Sequence, residues 1–208
     1  GLASHPCPGE PLACAINVMR RARVAPGLPV VIVGIGFLGG LLVQLAAARG
    51  AHVVAVSRRP FALDVALACG AAETVPFEDV RETRQAVCRL LGHDGAPCVI
   101  EAVGDQRALD LAGSLVDVRG QLVIAGYHQD GPRTVDLQQW NWRGIDVTNA
   151  HERDPHMYLE GLRLAVDALG SGTLRLDPLL TTQLPLDRLD EAFRLMQARP
   201  DGFLKAVV

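Results

Sequence analysis

The clearest chemical signal in the sequence is the run Gly34-Ile35-Gly36-Phe37-Leu38-Gly39, which fits G-x-G-x-x-G. That spacing suits a pyrophosphate. The first glycine permits a tight turn, the second lets an anion approach the backbone, and the third lets a helix pack close to a strand. The free N–H groups at the start of that helix then face the anion. The context agrees: the motif directly follows the β-branched run Val30-Val31-Ile32-Val33 and opens an apolar helical stretch. A dinucleotide is the expected ligand, with Phe37 and Leu38 in the turn beside it.

The end of the second strand chooses between cofactors. An Asp or Glu there takes the ribose hydroxyls of NAD. The strand His52–Val56 runs instead into Ser57, Arg58 and Arg59. An acid would repel a 2′-phosphate, whereas a hydroxyl and a guanidinium bind one through charge-assisted hydrogen bonds. The Arg58 guanidinium could also stack on the adenine. NADP is therefore expected over NAD. A plain solvated strand end is the competing reading of the two arginines.

Other clusters carry less. His151-Glu152-Arg153-Asp154-Pro155-His156 holds two histidines five apart, off a common helix face, with Pro155 between them. No metal site is expected there, although His151 is a candidate for the nicotinamide end. Cys7, Cys14, Cys69, Cys88 and Cys98 are odd in number and lack C-x-x-C spacing. They indicate a reducing, cytoplasmic setting and no disulfide framework. His5 and Cys7 could take up only a stray metal ion. Trp140 and Trp142 alternate as if one ring packs inward from an extended segment. No G-x-S-x-G elbow for a serine hydrolase is present.

These residues need a scaffold, and the periodicity supplies one. Helices are predicted over Glu10–Arg23, Phe37–Arg49, Pro60–Cys69, Glu78–Leu91, from the Asp105 cap to Leu115, and over Pro155–Leu169. Strands are predicted at Val30–Val33, His52–Ser57, Thr74-Val75, Cys98–Val103, Gln121–Ala125 and Ile145–Thr148. The alternation implies right-handed βαβ units. The fold class is α/β, a doubly wound, parallel, six-stranded Rossmann sheet. A surplus strand–helix–strand follows at Leu179–Leu184, Asp187–Ala198 and Phe203–Val208.

Composition sets the outer bounds. The 208 residues are 49% hydrophobic, enough for a full core without staples. Twenty basic residues against 23 acidic ones leave no footprint for nucleic acid. No stretch reaches the roughly 20 apolar residues of a membrane helix. The first ten residues lack the pattern of a signal peptide.

Taken in order, Gly9-Glu10-Pro11-Leu12-Ala13, the strand and glycine motif from Val30 to Gly39, the pairs Gly50-Ala51 and Gly70-Ala71, Glu101-Ala102-Val103-Gly104, Gly126-Tyr127-His128 and Gly202-Phe203-Leu204-Lys205-Ala206-Val207-Val208 resemble the medium-chain dehydrogenase/reductase superfamily. The zinc-dependent alcohol, polyol and threonine dehydrogenase branch is most similar. The resemblance spans nearly the whole chain. It implies that Ala102, Val103, Gly104, Gly126, Tyr127 and His128 line the adenosine and nicotinamide ends. It also implies that Asn149 and Ala150 bond the carboxamide and that Lys205 reaches the pyrophosphate. Glu10 matches a Glu at the catalytic zinc. Relatives begin with a GroES-like catalytic domain that supplies the other zinc ligands, and this sequence starts where that domain ends. Residues 1–174 then read as an NAD(P)-binding domain with its N-terminal helix. Residues 175–208 read as the C-terminal piece of the catalytic domain. No catalytic residue is expected in this chain, and zinc is expected only in a complete two-domain enzyme.

The expected function is cofactor binding in an NAD(P)-dependent oxidoreductase acting on a small alcohol, polyol or carbonyl substrate. Glu10 favours this over a zinc-independent quinone or enoyl reductase. A stand-alone NADP(H)-binding module without catalysis is the other alternative. The resemblance further implies a homodimer paired through the sixth strand, whose edge is hazardous if left open.

Overall fold

The computed structural model describes residues 7–208; His5 lies outside the described residues. Helix α1 (Gly9–Arg21) precedes strand β1 (Pro29–Val33), then α2 (Phe37–Ala48), β2 (His52–Ser57), α3 (Pro60–Ala68) and β3 (Glu73–Pro76). The second half continues with α4 (Val80–Leu91), β4 (Ala96–Glu101), α5 (Gln106–Leu115), β5 (Val116–Ile124), α6 (Leu137–Arg143), β6 (Asp146–Asn149) and α7 (Pro155–Gly170). The sheet order is β3-β2-β1-β4-β5-β6 with every pair parallel. This is the expected doubly wound Rossmann sheet. The order reverses between β1 and β4, where open sheets of this kind leave a crevice at their carboxyl ends.

Burial on both faces explains the continuous apolar strands. Val30, Ile32, Val53, Ala55, Cys98 and Ile100 point into a core built with α1, α2, α3 and Ala165 of α7. Val31, Val33, Val54, Val56, Val99 and Leu122 point into a second core with α4 and α5. Asp79, Asp105, Asp136 and Asp154 cap α4, α5, α6 and α7, each carboxylate accepting a first-turn backbone N–H. Helix α2, with Gly36 at its N-cap, has neither a side-chain cap nor an acid in its first turn.

Three sequence expectations change. Trp140 and Trp142 lie on helix α6, not on an extended segment; Asp136 nucleates it and Gly144 ends it in a left-handed conformation. Trp140 packs on the second core while Trp142 stands in solvent. Strand β5 starts at Val116, because a register shift opposite Ala96 and Cys98 absorbs the poor strand formers around Arg119. The C-terminal strands shrink to β7 (Thr182–Gln183) and β8 (Ala206–Val207), which pair in parallel around a 3-10 turn and helix α8 (Leu189–Ala198). Leu179 is not in a strand. It is fully buried in the first core, where its side chain fills the space above Gly40. The Gln44 amide exchanges two hydrogen bonds with the Arg175 backbone, N–H to Oε1 at 2.6 Å and Nε2–H to O at 3.0 Å. The start of the 175–208 segment is thus fastened to the dinucleotide-fold core.

Candidate functional site

The three glycines of the motif have different surroundings. Gly34 turns with φ +99°, and a side chain there would strike Val103 and the Ala102 backbone. A Cβ on Gly39 would collide with the Gly34 carbonyl oxygen, so the helix lies directly on the turn. Around Gly36 there is no atom within 4 Å of where a Cβ would stand. The uncapped first turn of α2 therefore opens into free space at the one glycine that must let a ligand approach.

Two cavities meet at this turn. The first, of about 340 Å³, lies over the ends of β1 and β2 and is lined by Gly34, Gly36, Phe37, Ser57, Arg58, Arg59 and Lys205, among others. The second, of about 380 Å³, lies over β4, β5 and β6 and is lined by Leu38, Gly126, Tyr127, Ala150, His151 and Glu10, among others. Ala102 and Val103 line both. The two cavities thus adjoin at Ala102 and Val103 to form a trough along the carboxyl edge of the sheet, with the glycine turn lining the first and Leu38 the second. The Lys205 ammonium sits 5.8 Å from the Phe37 ring centroid, so its charge is held beside the turn.

Several expected residues stand elsewhere. His128 is turned away from the trough. Its Nε2 lies 3.0 Å from Oε2 of Glu101, and Arg133 donates to its Nδ1 at 2.9 Å. Gly104 lines neither cavity. It is buried with φ +91°, donates its N–H to Glu101, and packs so closely on the Tyr127 backbone that any Cβ would clash. Asn149 is exposed outside the trough, and Arg21 donates to its carbonyl at 2.8 Å. Gly39 is buried under the turn, where close packing on the Gly34 carbonyl requires a glycine. Arg59 lines the first cavity, but its Nη2 donates to the carbonyls of Phe203 at 2.6 Å and Pro200 at 3.1 Å. Ser57 is buried and its hydroxyl accepts the Arg59 backbone N–H at 3.3 Å.

At the far end, Glu10 accepts a hydrogen bond from the Cys14 thiol at 3.2 Å, and Cys14 contacts the Tyr158 hydroxyl at 3.3 Å. Burial, with the nearby Glu10 carboxylate, pushes the Cys14 thiol up. The bond with Cys14 pushes the Tyr158 hydroxyl up to about 12. Both are therefore neutral hydrogen-bonding groups near pH 7. A zinc ion needs about four ligands. Among the described residues no group of three or more His, Cys, Asp or Glu side chains is placed to hold a metal ion. Glu10 and Cys14 do not make a zinc site by themselves.

Sequence reasoning missed four contributors. Glu101 ends an otherwise apolar strand, and an acid in that place signals a buried anchor. Its Oε1 accepts the N–H groups of Val103 and Gly104, both at 2.7 Å, so it fixes the loop between the two cavities. Arg133 ties His128 to the Gly104 carbonyl, and no local pattern predicts it. Asn17 lines the second cavity; among the described residues its amide is the one buried side chain without a hydrogen-bond partner. Arg199 lines the first cavity from the C-terminal segment.

Comparison with known proteins identifies the family and the fold. Residues 38–167 match the family described as zinc-binding dehydrogenase. The chain is 29% identical over 203 residues to 2-dehydro-3-deoxy-L-galactonate 5-dehydrogenase of Pseudoalteromonas atlantica, covering 96% of this chain and 56% of that protein. A protein from Sinorhizobium meliloti, described as a zinc-binding dehydrogenase bound to NADP, superposes with TM-score 0.76 at 25% identity, over 88% of this chain and 53% of that one. An E. coli protein described as a short chain alcohol dehydrogenase complexed with NADH shares the fold, with TM-score 0.82 at 18% identity over 95% of this chain and 57% of that one. The chain spans about half the length of the curated relatives it matches. It belongs to the zinc-binding dehydrogenases of the medium-chain dehydrogenase/reductase superfamily and carries their cofactor-binding domain.

Proposed function

We propose that this chain binds a nicotinamide dinucleotide, NADP(H) in preference to NAD(H), as the cofactor half of a zinc-type alcohol or polyol dehydrogenase. The observation that carries the reading is the uncapped start of α2, opening at Gly36 into the first of two cavities that adjoin at Ala102 and Val103. The trough fits a molecule with a central pyrophosphate and a ring system at each end. The adenosine half goes to the Ser57 and Arg58 side, and the nicotinamide half to Gly126, Tyr127, Ala150 and His151. Lys205 adds charge at the pyrophosphate. The absence of any carboxylate among Ser57, Arg58 and Arg59 supports NADP.

When bound, the nicotinamide supplies the hydride acceptor or donor. The residues of this chain hold and orient it. Loops fixed by Glu101 form the floor under the ring, and Leu38 and Cys14 line the same cavity. The zinc-dependent reading draws on Glu10, which lines the nicotinamide end in the E-P context. The remaining zinc ligands would come from residues beyond these 208. In the same reading, residues 175–208 are held on the dinucleotide fold at Arg175, Leu179 and Phe203 and turn the outer face of α8 toward that second domain. The exposed Leu186 and Phe193 support this assignment. The open edge of β6 supports a homodimer, to be tested by sedimentation at high concentration; a persistent monomer would count against it. The free thiols Cys69 and Cys98 agree with a cytoplasmic setting, and no helix among the described residues is long and apolar enough to cross a membrane.

The test is titration of the chain with NADPH and NADH by fluorescence, with zinc assayed on the same sample. Tight NADPH binding, weaker NADH binding and no stoichiometric zinc are expected. Failure to bind either nucleotide would undo the proposal.

A further inference from the structure

Helix α8 ends at Ala198, and the chain reverses at Arg199 with φ 43° and ψ 56°. This is the left-handed region, which glycine and asparagine adopt readily and arginine does not. Among the described residues only Arg119 and Arg199 hold positive φ without being glycine. Arg199 is exposed at the first cavity, and among the described residues its guanidinium takes part in no ion pair or side-chain hydrogen bond.

The reversal is carried to the cavity by a specific tie. Arg59, next in sequence to Arg58, donates to the Pro200 and Phe203 carbonyls. These carbonyls flank the turn that Arg199 begins. The C-terminal segment is thereby bolted onto the β2–α3 corner, where the ribose end of the ligand would lie. The cavity walls carry four cations, Arg58, Arg59, Arg199 and Lys205, and one acid, Asp105. Asp105 is already committed, its carboxylate accepting the Ala108 N–H at 2.8 Å as the α5 cap. Arg59 is spent on the C-terminal carbonyls, and Lys205 is held over Phe37 beside the glycine turn. Arg58 and Arg199 are left, reaching the same cavity from two different segments.

We infer that Arg199 is a cofactor-specificity residue that binds the 2′-phosphate of NADP(H) from the C-terminal segment, opposite Ser57 and Arg58. A guanidinium offers the paired donors that a phosphate monoester accepts. The 2′-phosphate would thus be clamped between the β2 corner and the return turn. The inference rests on the NADP reading above and adds the partner that the second-strand signature lacks.

The test uses Arg199→Gly, which removes the guanidinium and suits the left-handed turn, so folding is not at risk. Affinities of the full chain are measured for NADPH, NADH, 2′,5′-ADP and 5′-AMP. In the variant, NADPH and 2′,5′-ADP should weaken by about tenfold or more, the scale of a lost charge-assisted bond. NADH and 5′-AMP should stay within about twofold. Arg199→Lys should recover part of the NADPH affinity, since it restores the charge without the fork. Equal weakening of all four ligands, or an unchanged NADPH/NADH ratio in a wild type that prefers NADPH, overturns the inference alone. A wild type that prefers NADH overturns it together with the NADP reading.

Discussion

His128 Nε2 lies 3.0 Å from the fully buried Oε2 of Glu101, and this pair locks together the two loops that floor the trough. Arg133 donates to Nδ1, so Nδ1 accepts and Nε2 carries the hydrogen given to Glu101. The other carboxylate oxygen holds the Val103 and Gly104 N–H groups. One side chain at the end of β4 therefore sets the loop after β4 and, through His128, the loop after β5.

Glu101→Gln tests that arrangement. The amide oxygen can keep the two backbone N–H groups, but its NH2 then faces an N–H of His128, donor against donor. A loss of about 1–3 kcal/mol in urea unfolding is expected, the cost of leaving a buried polar group unsatisfied. Affinity for either nucleotide should fall as well, because both cavities use Val103. Unchanged stability would show that the pair does not hold the loops.

The glycine turn yields a contrast between two substitutions of the same kind. Gly39→Ala drives a methyl group into the Gly34 carbonyl oxygen, so the helix must lift off the turn. Destabilisation of about 1–3 kcal/mol is expected. Gly36→Ala points its methyl group into empty space, from an extended backbone with φ −101°. Gly36 is the N-cap residue of α2, where Ala is disfavoured relative to Gly, so a modest stability loss of about 1 kcal/mol is expected. The variant's nucleotide affinity should drop sharply, because the methyl group stands where a pyrophosphate would approach. Denaturation and titration of both variants check this. A Gly36→Ala protein that binds normally would count against the pyrophosphate position.

Legibility in the sequence followed the range of the physics. The strands around Val30–Val33 and His52–Val56 and the glycine turn rest on local rules, namely β-branching, two-sided burial and backbone sterics, and the sheet follows them. Helix α6 was hidden because Leu137–Arg143 is mostly polar and its two tryptophans happen to alternate; the Asp136 cap and Gly144 stop decide it. Leu179 reads as a strand residue by type, yet it fills a hole over Gly40 that lies far away in sequence. The site shows the same division. Ser57 and Arg58 follow from their place after a strand. The roles of Arg59, His128 and Arg199 depend on partners in other segments, which no spacing rule encodes.

Arg59→Leu separates the tie from the ligand contacts. Without the bonds to Pro200 and Phe203, the 199–204 turn should leave the β2 corner. Proteolytic cleavage in that stretch should speed up, since local opening governs access. NADPH affinity should fall because Arg199 is no longer presented. A cleavage pattern identical to the wild type would show that the two carbonyl bonds do not anchor the segment.

The buried thiol of Cys98 predicts an alkaline weakness. Burial in β4 pushes it up to about 12, partly opposed by the Arg23 backbone bond and charge. In the unfolded chain a thiol ionises near about 8.5. From about pH 9 upward the unfolded chain releases a proton that the folded protein retains. Stability is therefore fully present below the unfolded value and declines as pH rises toward the folded one. The slope is at most about 1.4 kcal/mol per pH unit for one such group. Urea midpoints at pH 8, 9 and 10 under reducing conditions should fall more steeply for the wild type than for Cys98→Ala. The two proteins differ at neutral pH through the lost sulfur, so the comparison is of slopes. Parallel slopes would mean that Cys98 stays out of the alkaline transition.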